Sequence, residues 1–367
     1  MTTAIYSKIK VKEVIGRYIT NQHISKFLAA LDNQFKIEIV GNSVDREPIK
    51  SVTFGNGPVH IFMWSQMHGN ETTTTKAVID LINLFKSAHV ESSTYFKKCT
   101  VKIIPILNPD GAKAYTRNNA NEIDLNRDAQ NLSQPESVVL KKCFESFKPH
   151  FCFNLHDQRT IYNVGETGKP ATISFLAPAF DEERSISESR KVSMQLVAGM
   201  NKRLQQFIPG QIGRYDDSFN PNCVGDAFQM SNTPTILFEA GHFPNDYNRE
   251  KTRELIFMAL LEAINLIAFD KITEYSLKEY VDIPENGKMF YDILIKNAGI
   301  IDKTIEESDS IGIMYTETLN KTGISFNPRV SCKGLKKSYF YGHKTLDCSN
   351  KKDLEWLSAQ GITKIIK

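Results

Sequence analysis

Two residues that can bind a metal ion lie three positions apart, between a strand-like segment and a helical pattern. They are His68 and Glu71. The apolar run 59–64 before them predicts a buried strand, and the apolar spacing over 77–85 after them predicts a helix. A histidine and a glutamate at such a strand-to-helix turn can converge on one point, where they would form half of a zinc site.

A third potential ligand is His156, which follows the short apolar run 151–155. In an open α/β sheet, ligand sites form at the carboxyl ends of the strands. Two histidines and one glutamate are a ligand set of catalytic zinc, with the fourth position left to water. The alternative is that each histidine is an ordinary polar residue at a strand end. The joint pattern favours one Zn²⁺ per chain.

Arginine and asparagine side chains follow another predicted strand, 100–107. Residues 108–111 read Asn-Pro-Asp-Gly, which is typical of a turn. Arg117, Asn126 and Arg127 come next. Because arginine binds carboxylates in a bidentate manner, these residues can form an anion-binding patch. The alternative for an exposed arginine pair is solvated surface.

Glu239 follows the apolar run 235–238. A carboxylate at the end of a buried strand is costly unless it is paired or used. If this strand neighbours the others, we expect Glu239 to face the zinc-bound water as a general base. The alternative is an ion pair with an arginine or lysine.

These candidate residues require a sheet whose strands end together. Strand-like and helical segments alternate up to about residue 270, which predicts an α/β fold with a mixed, largely parallel central sheet and helices on both faces. The predicted strands are 35–40, 51–54, 59–64, 100–107, 151–155, 172–176 and 235–238, and the predicted helices are 21–31, 72–88, 136–147, 183–207 and 248–268.

The pattern changes after about residue 269, where short strand-like runs are separated by turn residues. The runs are 290–296, 310–315, 323–328 and 337–342. We therefore expect a catalytic domain over 1–270 and a small, mainly β C-terminal domain over 275–367. In that domain we expect structural roles for His343 and Cys348, because no partner spacing supports a metal site.

The composition limits the class of protein. With 367 residues and 41% hydrophobic content, the chain can bury a full core. A net charge of +3 gives no electrostatic argument for binding nucleic acid, and no apolar run approaches the roughly 20 residues that span a bilayer. Six cysteines without a C-x-x-C pair, and a start without the apolar core of a signal peptide, predict a cytoplasmic protein with reduced thiols. The oligomeric state stays open.

Taken in order, these residues resemble the zinc carboxypeptidases of the carboxypeptidase A-like (M14) family over about residues 45–270. The resemblance implies the fold of that family and a zinc ion held by His68, Glu71 and His156. Within it, the segment 117–127 is especially similar to the branch that includes bacterial murein-peptide amidases.

The same resemblance implies roles for the remaining candidates. Arg117 would polarise the scissile carbonyl and stabilise its oxyanion, and Asn126 and Arg127 would bind the terminal carboxylate of the substrate. Glu239 would be the general base. The implied activity is hydrolysis of the C-terminal amide bond of a peptide with a free carboxylate.

The chain departs from the family pattern at two places. The family has a tyrosine roughly twenty residues before the general base, and Tyr215 is the nearest candidate, a few residues away. No family role fits residues 157–159. The residue that selects the substrate side chain should lie near 224–226, where Asp226 either favours a substrate with an amino group or is a buried structural acid.

Two other functions remain alternatives to the carboxypeptidase. One is a zinc amidase or deacylase that acts on murein peptides or N-acyl amino acids. The other is a non-catalytic zinc-binding module. The presence of all metal ligands and the base, at 68, 71, 156 and 239, favours an enzyme.

Overall fold

An eight-stranded mixed sheet lies at the centre of the molecule, as shown by a computed structural model that describes residues 3–87, 92–336 and 339–366. The strands are β1 (Phe35–Asn42), β2 (Pro48–Phe54), β3 (Val59–Ser65), β4 (Cys99–Ile104), β5 (Phe151–Asp157), β6 (Asn163–Val164), β7 (Ile173–Leu176), β8 (Ile212–Arg214), β9 (Thr235–Ala240), β10 (Asn286–Gly287), β11 (Phe290–Lys296), β12 (Ser310–Asn320), β13 (Gly323–Leu335) and β14 (Tyr341–Asp347).

Helices connect most of the strands. They are α1 (Thr3–Ile9), α2 (Asn21–Ala29), α3 (Thr73–Lys86), α4 (Ser92–Lys98), α5 (Pro109–Ala114), α6 (Pro135–Phe147), α7 (Glu188–Leu204), α8 (Val224–Met230), α9 (Glu250–Ala268), α10 (Leu277–Val281), α11 (Lys351–Ala359) and α12 (Ile362–Ile366). Short 3-10 turns occur at Leu125–Arg127, Ile272–Glu274 and Ala298–Ile300.

The central sheet has the strand order β1-β2-β4-β3-β5-β9-β7-β8. The pairs β3–β4, β3–β5, β5–β9 and β7–β8 are parallel, whereas β1–β2, β2–β4 and β7–β9 are antiparallel. The predicted mixed sheet is therefore confirmed, with parallel pairs in its middle.

The register of the three middle strands aligns their carboxyl ends. Ser65 at the end of β3 pairs with Leu155 on β5, and His156 on β5 pairs with Glu239 on β9. Two of the candidate site residues therefore sit side by side on neighbouring strands. The loop after β3 leaves the sheet at the same edge.

Successive residues of β3 pack into different layers, as expected for a sheet covered on both faces. Ile61 and Met63 pack in the core that includes residues of α3, α7 and α9. Phe62 and Trp64 pack in a second core with residues of α6 and α8. All four side chains are fully buried. This packing makes the strand that leads to His68 rigid.

The C-terminal part of the chain builds a second sheet of four strands, in the order β13-β12-β11-β14. Its core also contains Leu357, Ile362 and Ile366 from α11 and α12, two helices that the sequence pattern did not predict. Of the predicted strand 337–342, residues 337 and 338 lie outside the described part, and the observed strand β14 begins only at Tyr341.

Several predicted boundaries were wrong, including the following three. The strand predicted to reach residue 107 ends at Ile104, because Pro105 has no N–H to continue the ladder. The helix predicted from residue 183 begins at Glu188, where Ser187 caps it by accepting a hydrogen bond from the backbone N–H of Arg190 at 3.2 Å. Helix α3 spans 73–86 rather than 72–88, and residue 88 lies outside the described part.

From the sequence we expected reduced cysteines and no apolar run long enough to span a bilayer. All six cysteines are free, and four of them are buried. Within 3–87, 92–336 and 339–366, every helix is too short or too polar to cross a lipid bilayer.

Candidate active site

The side chains of His68, Glu71 and His156 converge on one point, and one ligand atom of each lies within 4.8 Å of the others. His68 Nδ1 lies 2.8 Å from Glu71 Oε1, and His156 Nδ1 lies 2.9 Å from Glu71 Oε2. All three residues are buried. The three predicted ligands therefore meet as a metal site requires.

The chemistry of this donor set fits a divalent cation. The two Nδ1 atoms lie only 3.1 Å apart and face the same carboxylate. On its far side, His68 places Nε2 2.9 Å from Asp124 Oδ1, a contact that fixes the ring and leaves Nδ1 as the donor atom. Burial lowers the pKa of His156, so its ring is neutral near pH 7, as a metal ligand must be.

The loop that carries the first two ligands is held by close backbone packing. A Cβ atom on Gly69 would lie 1.9 Å from the carbonyl carbon of Gly111, so only glycine fits there. Asn108 donates a hydrogen bond to the backbone oxygen of Met67 at 3.1 Å. The Asn-Pro-Asp-Gly turn, which the sequence showed only as a turn, therefore supports the metal-binding loop.

Glu239 lies beside His156 in the register of β5 and β9. One of its carboxylate oxygens is buried, and it has no hydrogen-bond partner among the described residues. Burial, together with the carboxylates of Glu71 and Asp157, raises the pKa of Glu239 well above its usual range. In the described part of the chain no lysine or arginine forms an ion pair with it, so the alternative of a structural ion pair is not supported.

A cavity of about 400 Å³ opens in front of these side chains. All of the candidate site residues named from the sequence line it, so the candidate metal ligands, the candidate base and the candidate anion-binding residues surround one volume. They are His68, Glu71, Arg117, Asn126, Arg127, His156, Tyr215, Asp226 and Glu239.

The two arginines of the cavity differ in their contacts. Arg117 is half-exposed and donates hydrogen bonds to Glu71 at 3.3 Å and to Asp124 at 3.1 and 3.2 Å. Arg127 donates to the backbone oxygen of Asn126 at 2.7 Å and to Cys223 Sγ at 3.1 Å. Among the described residues, Arg127 has no carboxylate partner, so its charge is available to a bound anion.

Tyr215 and Asp226 lie on the cavity wall. Tyr215 is half-buried, and its ring centroid lies 5.3 Å from that of Tyr162. The buried carboxylate of Asp226 accepts a hydrogen bond from the backbone N–H of Asn220 at 3.1 Å. Burial raises the pKa of Asp226 to about 6. Asp226 is thus a buried acid that also borders the cavity, so both interpretations from the sequence stay compatible with its position.

Residues 20–185, just under half of the chain, match one protein-family model. That model is the zinc carboxypeptidase family, Peptidase_M14. The resemblance inferred from the sequence is thereby confirmed.

Curated relatives of the zinc carboxypeptidase region are distant. A probable carboxypeptidase 2 of Arthroderma benhamiae is 24% identical over 188 residues, which are 50% of this chain and 33% of that protein. The gamma-D-glutamyl-L-diamino acid endopeptidase 1 of Lysinibacillus sphaericus is 30% identical over 80 residues, 20% of each chain. The chain thus spans about a third or less of the length of these relatives.

Solved structures share the zinc carboxypeptidase fold. Carboxypeptidase A of Helicoverpa armigera superposes with a TM-score of 0.56 at 14% identity, over 73% of this chain and 80% of that one. A metallo-carboxypeptidase of Burkholderia cenocepacia gives a TM-score of 0.55 at 14% identity, over 69% and 70%. At such identities the likeness shows the fold alone.

Two acidic residues of the site were not assigned from the sequence. Asp124 contacts both His68 and Arg117. Asp157 donates its backbone N–H to Glu71 Oε2 at 3.1 Å, and its side chain accepts a 2.6 Å hydrogen bond from the hydroxyl of Thr73. Asp157 directly follows the ligand His156, and this adjacency was the only signal that could have identified it.

Proposed function

We propose that this protein is a zinc metallocarboxypeptidase that hydrolyses the C-terminal amide bond of peptides. The observation that supports it most is the convergence of His68, Glu71 and His156 in one cavity, with Glu239 beside them. When bound there, zinc supplies the Lewis acidity that makes water a nucleophile near neutral pH and polarises a carbonyl. The family match supports the same metal.

Glu239 is proposed as the general base. It accepts the proton of the attacking water and passes that proton to the leaving amine. The raised pKa of its carboxyl group suits a residue that must both take and return a proton. Among the described residues, none donates a hydrogen bond to its buried oxygen, so this oxygen is available to accept the proton of a water molecule.

Arg117 and Arg127 are proposed to bind different charges of the substrate. Arg117, held beside the metal ligands by Asp124, stabilises the negative charge that develops on the carbonyl oxygen. Arg127, with Asn126, binds the terminal carboxylate and so presents the last peptide bond for cleavage. We propose that Tyr215 and Asp226 contact the terminal residue of the substrate.

The test combines metal and substrate. We expect about one zinc per chain by metal analysis, loss of hydrolysis after chelation, and recovery when zinc is returned. A peptide with a free carboxylate should be cleaved, whereas its C-terminal amide should not. Activity that survives chelation would exclude zinc, and equal cleavage of acid and amide would remove Asn126 and Arg127 from substrate binding.

A zinc amidase or deacylase that acts on murein peptides or N-acyl amino acids is the second candidate. The similarity to the gamma-D-glutamyl-L-diamino acid endopeptidase favours it. Rates on murein tripeptides, acylated amino acids and ordinary peptides would separate the two. A non-catalytic zinc-binding module is less consistent with the unpartnered oxygen of Glu239.

Two further points belong to this proposal. We keep the division into a catalytic domain over 1–270 and a C-terminal domain over 275–367. The core of the second sheet is separate, whereas Tyr280 and Ile283 pack in the core of the catalytic domain. We also propose that the protein works in the cytoplasm, which its free cysteines support.

A further inference from the structure

Arg159 is an exposed cation without an acidic partner. It lies three residues after the ligand His156 and lines the same cavity. In the described part of the chain, its guanidinium group forms neither an ion pair nor a hydrogen bond. By contrast, Arg117 is neutralised by Glu71 and Asp124. Arg159 therefore brings an uncompensated positive charge to the cavity.

The position of Arg159 is fixed by the C-terminal domain. The next residue, Thr160, contacts His343 Nε2 through its backbone oxygen at 2.8 Å. The backbone oxygen of Ile161 accepts a hydrogen bond from the N–H of Phe290 at 3.1 Å. Because both contacts hold the backbone directly after it, Arg159 is presented from an ordered segment.

Arg159 also lines a second, smaller cavity of about 70 Å³, together with residues of β12 and β13. The two acidic residues that line this smaller cavity each bind another side chain. Glu317 binds Arg17 with both oxygens at 3.0 Å, and Asp292 accepts the hydroxyl of Tyr247 at 2.9 Å. Neither carboxylate is within ion-pair distance of Arg159, so its charge remains available to a ligand.

Arg159 and the proposed terminal-carboxylate site border the catalytic cavity through different elements of the fold. Asn126 and Arg127 contact Cys223 and Val224 at the start of α8. None of these four residues lines the small cavity that Arg159 shares with the C-terminal domain. If the leaving residue occupies the Arg127 wall, the remainder of the substrate extends toward Arg159.

We propose that Arg159 binds a carboxylate on the acyl side of the scissile bond, so that the enzyme prefers substrates with an acidic residue there. This inference rests on the proposed function. The carboxylate can be the side chain of an α-linked glutamate or the free α-carboxylate of a γ-linked one. In both cases the planar guanidinium group can form two parallel hydrogen bonds with it.

The test uses four N-acetylated substrates with one common C-terminal residue and the zinc-loaded full chain. Two are α-linked, with glutamate or glutamine on the acyl side, and two are γ-linked, with a free α-carboxylate or an α-carboxamide. We expect kcat/KM to be at least about tenfold higher for the carboxylate form in one linkage, as hydrogen bonds to a charged group imply. The linkage that shows the preference identifies which of the two carboxylates Arg159 binds.

Arg159→Gln should remove this preference and leave the rates on the carboxamide substrates unchanged. The matched control is Arg184→Gln, an exposed arginine that does not line the cavity, which should keep the preference. Equal kcat/KM for carboxylate and carboxamide in both linkages would overturn the inference. So would a preference that persists in Arg159→Gln.

A binding measurement separates this inference from the proposed function. If none of the four substrates is hydrolysed, the proposed function fails, and calorimetry then decides the inference with three compounds: N-acetylglutamine (free α-carboxylate), N-acetylisoglutamine (free side-chain carboxylate) and N-acetylglutamine α-amide (neither). The expected result is at least about tenfold tighter binding of one of the two carboxylates than of the diamide by the unsubstituted protein, and equal binding of all three by Arg159→Gln. Equal or undetectable binding of all three compounds by the unsubstituted protein would overturn it.

Discussion

Glu317, on strand β12 of the four-stranded sheet, accepts two hydrogen bonds of 3.0 Å from the guanidinium group of Arg17. It also accepts the hydroxyl of Tyr115, two residues before Arg117. Arg17 in turn lies 3.5 Å from Asp157, the residue after the ligand His156. One carboxylate of the second sheet thus contacts two residues that are linked to different segments of the candidate site.

Replacing Glu317 by Gln should lower activity without removing zinc, because the side chain orients neighbours of the site rather than binding the metal. We expect kcat/KM to fall roughly 10- to 100-fold, as for residues that support a metal site. Metal analysis and peptide hydrolysis would measure both quantities. Glu355→Gln, an exposed glutamate of α11, is the control and should behave normally. Unchanged turnover in Glu317→Gln would mean that its contacts do not position the site.

The variant Glu239→Gln should retain zinc and lose at least about two orders of magnitude in kcat, given the usual size of general acid–base contributions. The amide cannot take up a proton, but it preserves the shape of the side chain. Single-turnover kinetics with metal analysis would measure the effect. Glu188→Gln, an exposed glutamate of α7, serves as the control. Near-normal kcat would reject the assignment of Glu239.

Arg127→Gln should reduce the preference of the enzyme for peptides with a free terminal carboxylate. Losing the ionic contact to the terminal carboxylate should lower kcat/KM on the free-acid peptide by at least about tenfold. The low rate on the peptide amide should not change, since the amide carries no terminal charge. The comparison with Arg184→Gln excludes a general effect of removing an arginine. A similar loss on acid and amide would point to a structural role instead.

Asp226 should make stability depend on pH. Its folded-state pKa of about 6 lies above the usual value of 3.8, so the stability that it contributes is complete below about pH 3.8 and is lost as the pH rises through 6. The free energy of unfolding should therefore fall by up to about 3 kcal/mol over this range. Asp226→Asn should remove the fall.

Urea unfolding of the zinc-free protein at several pH values would test this prediction, since zinc binding itself depends on pH. Asp216→Asn gives a control of opposite sign, because hydrogen bonds from Ser218 lower the pKa of that exposed carboxyl group. A pH dependence that is identical in the unsubstituted protein and in Asp226→Asn would contradict the prediction.

A buried ion pair anchors the N-terminal segment to the core. Arg253 and Asp80 are both fully buried, with 2.6 Å contacts, and Arg253 also donates to the backbone oxygen of Val11 at 3.0 Å. Arg253→Met would leave the aspartate unpaired and should destabilise the fold by about 3–5 kcal/mol. Lys278→Met, in the exposed pair with Asp282, should cost less than about 1 kcal/mol. Similar losses of Tm in the two variants would contradict this reading.

The candidate metal ligands could be predicted because each one lies at or shortly after the end of a strand with a strong apolar pattern. For the same reason Glu239 could be placed beside them once its strand was assumed to be a neighbour. Strand register then brings His156 and Glu239 together, and register follows from packing that a single sequence does not display.

The contacts that support the ligands could not be predicted. Arg17 and Glu317 are 300 residues apart in the sequence, and neither lies in a pattern that distinguishes it from surface charge. Asp157 was visible beside His156, but its partners Thr73 and Arg17 come from segments distant in sequence. Such pairings depend on how whole elements dock, which local propensity does not determine.

The distance along the chain between Tyr115 and Glu317 also has a consequence for biosynthesis. A protein emerges from the ribosome with its N-terminal end first. The candidate ligands at 68, 71 and 156 are therefore translated well before Glu317, which follows its partner Tyr115 by 202 residues. A partly made chain would carry a candidate metal site whose arginine loop still lacks its contact with Glu317, so this part of the site would be completed only after residue 317 has been translated.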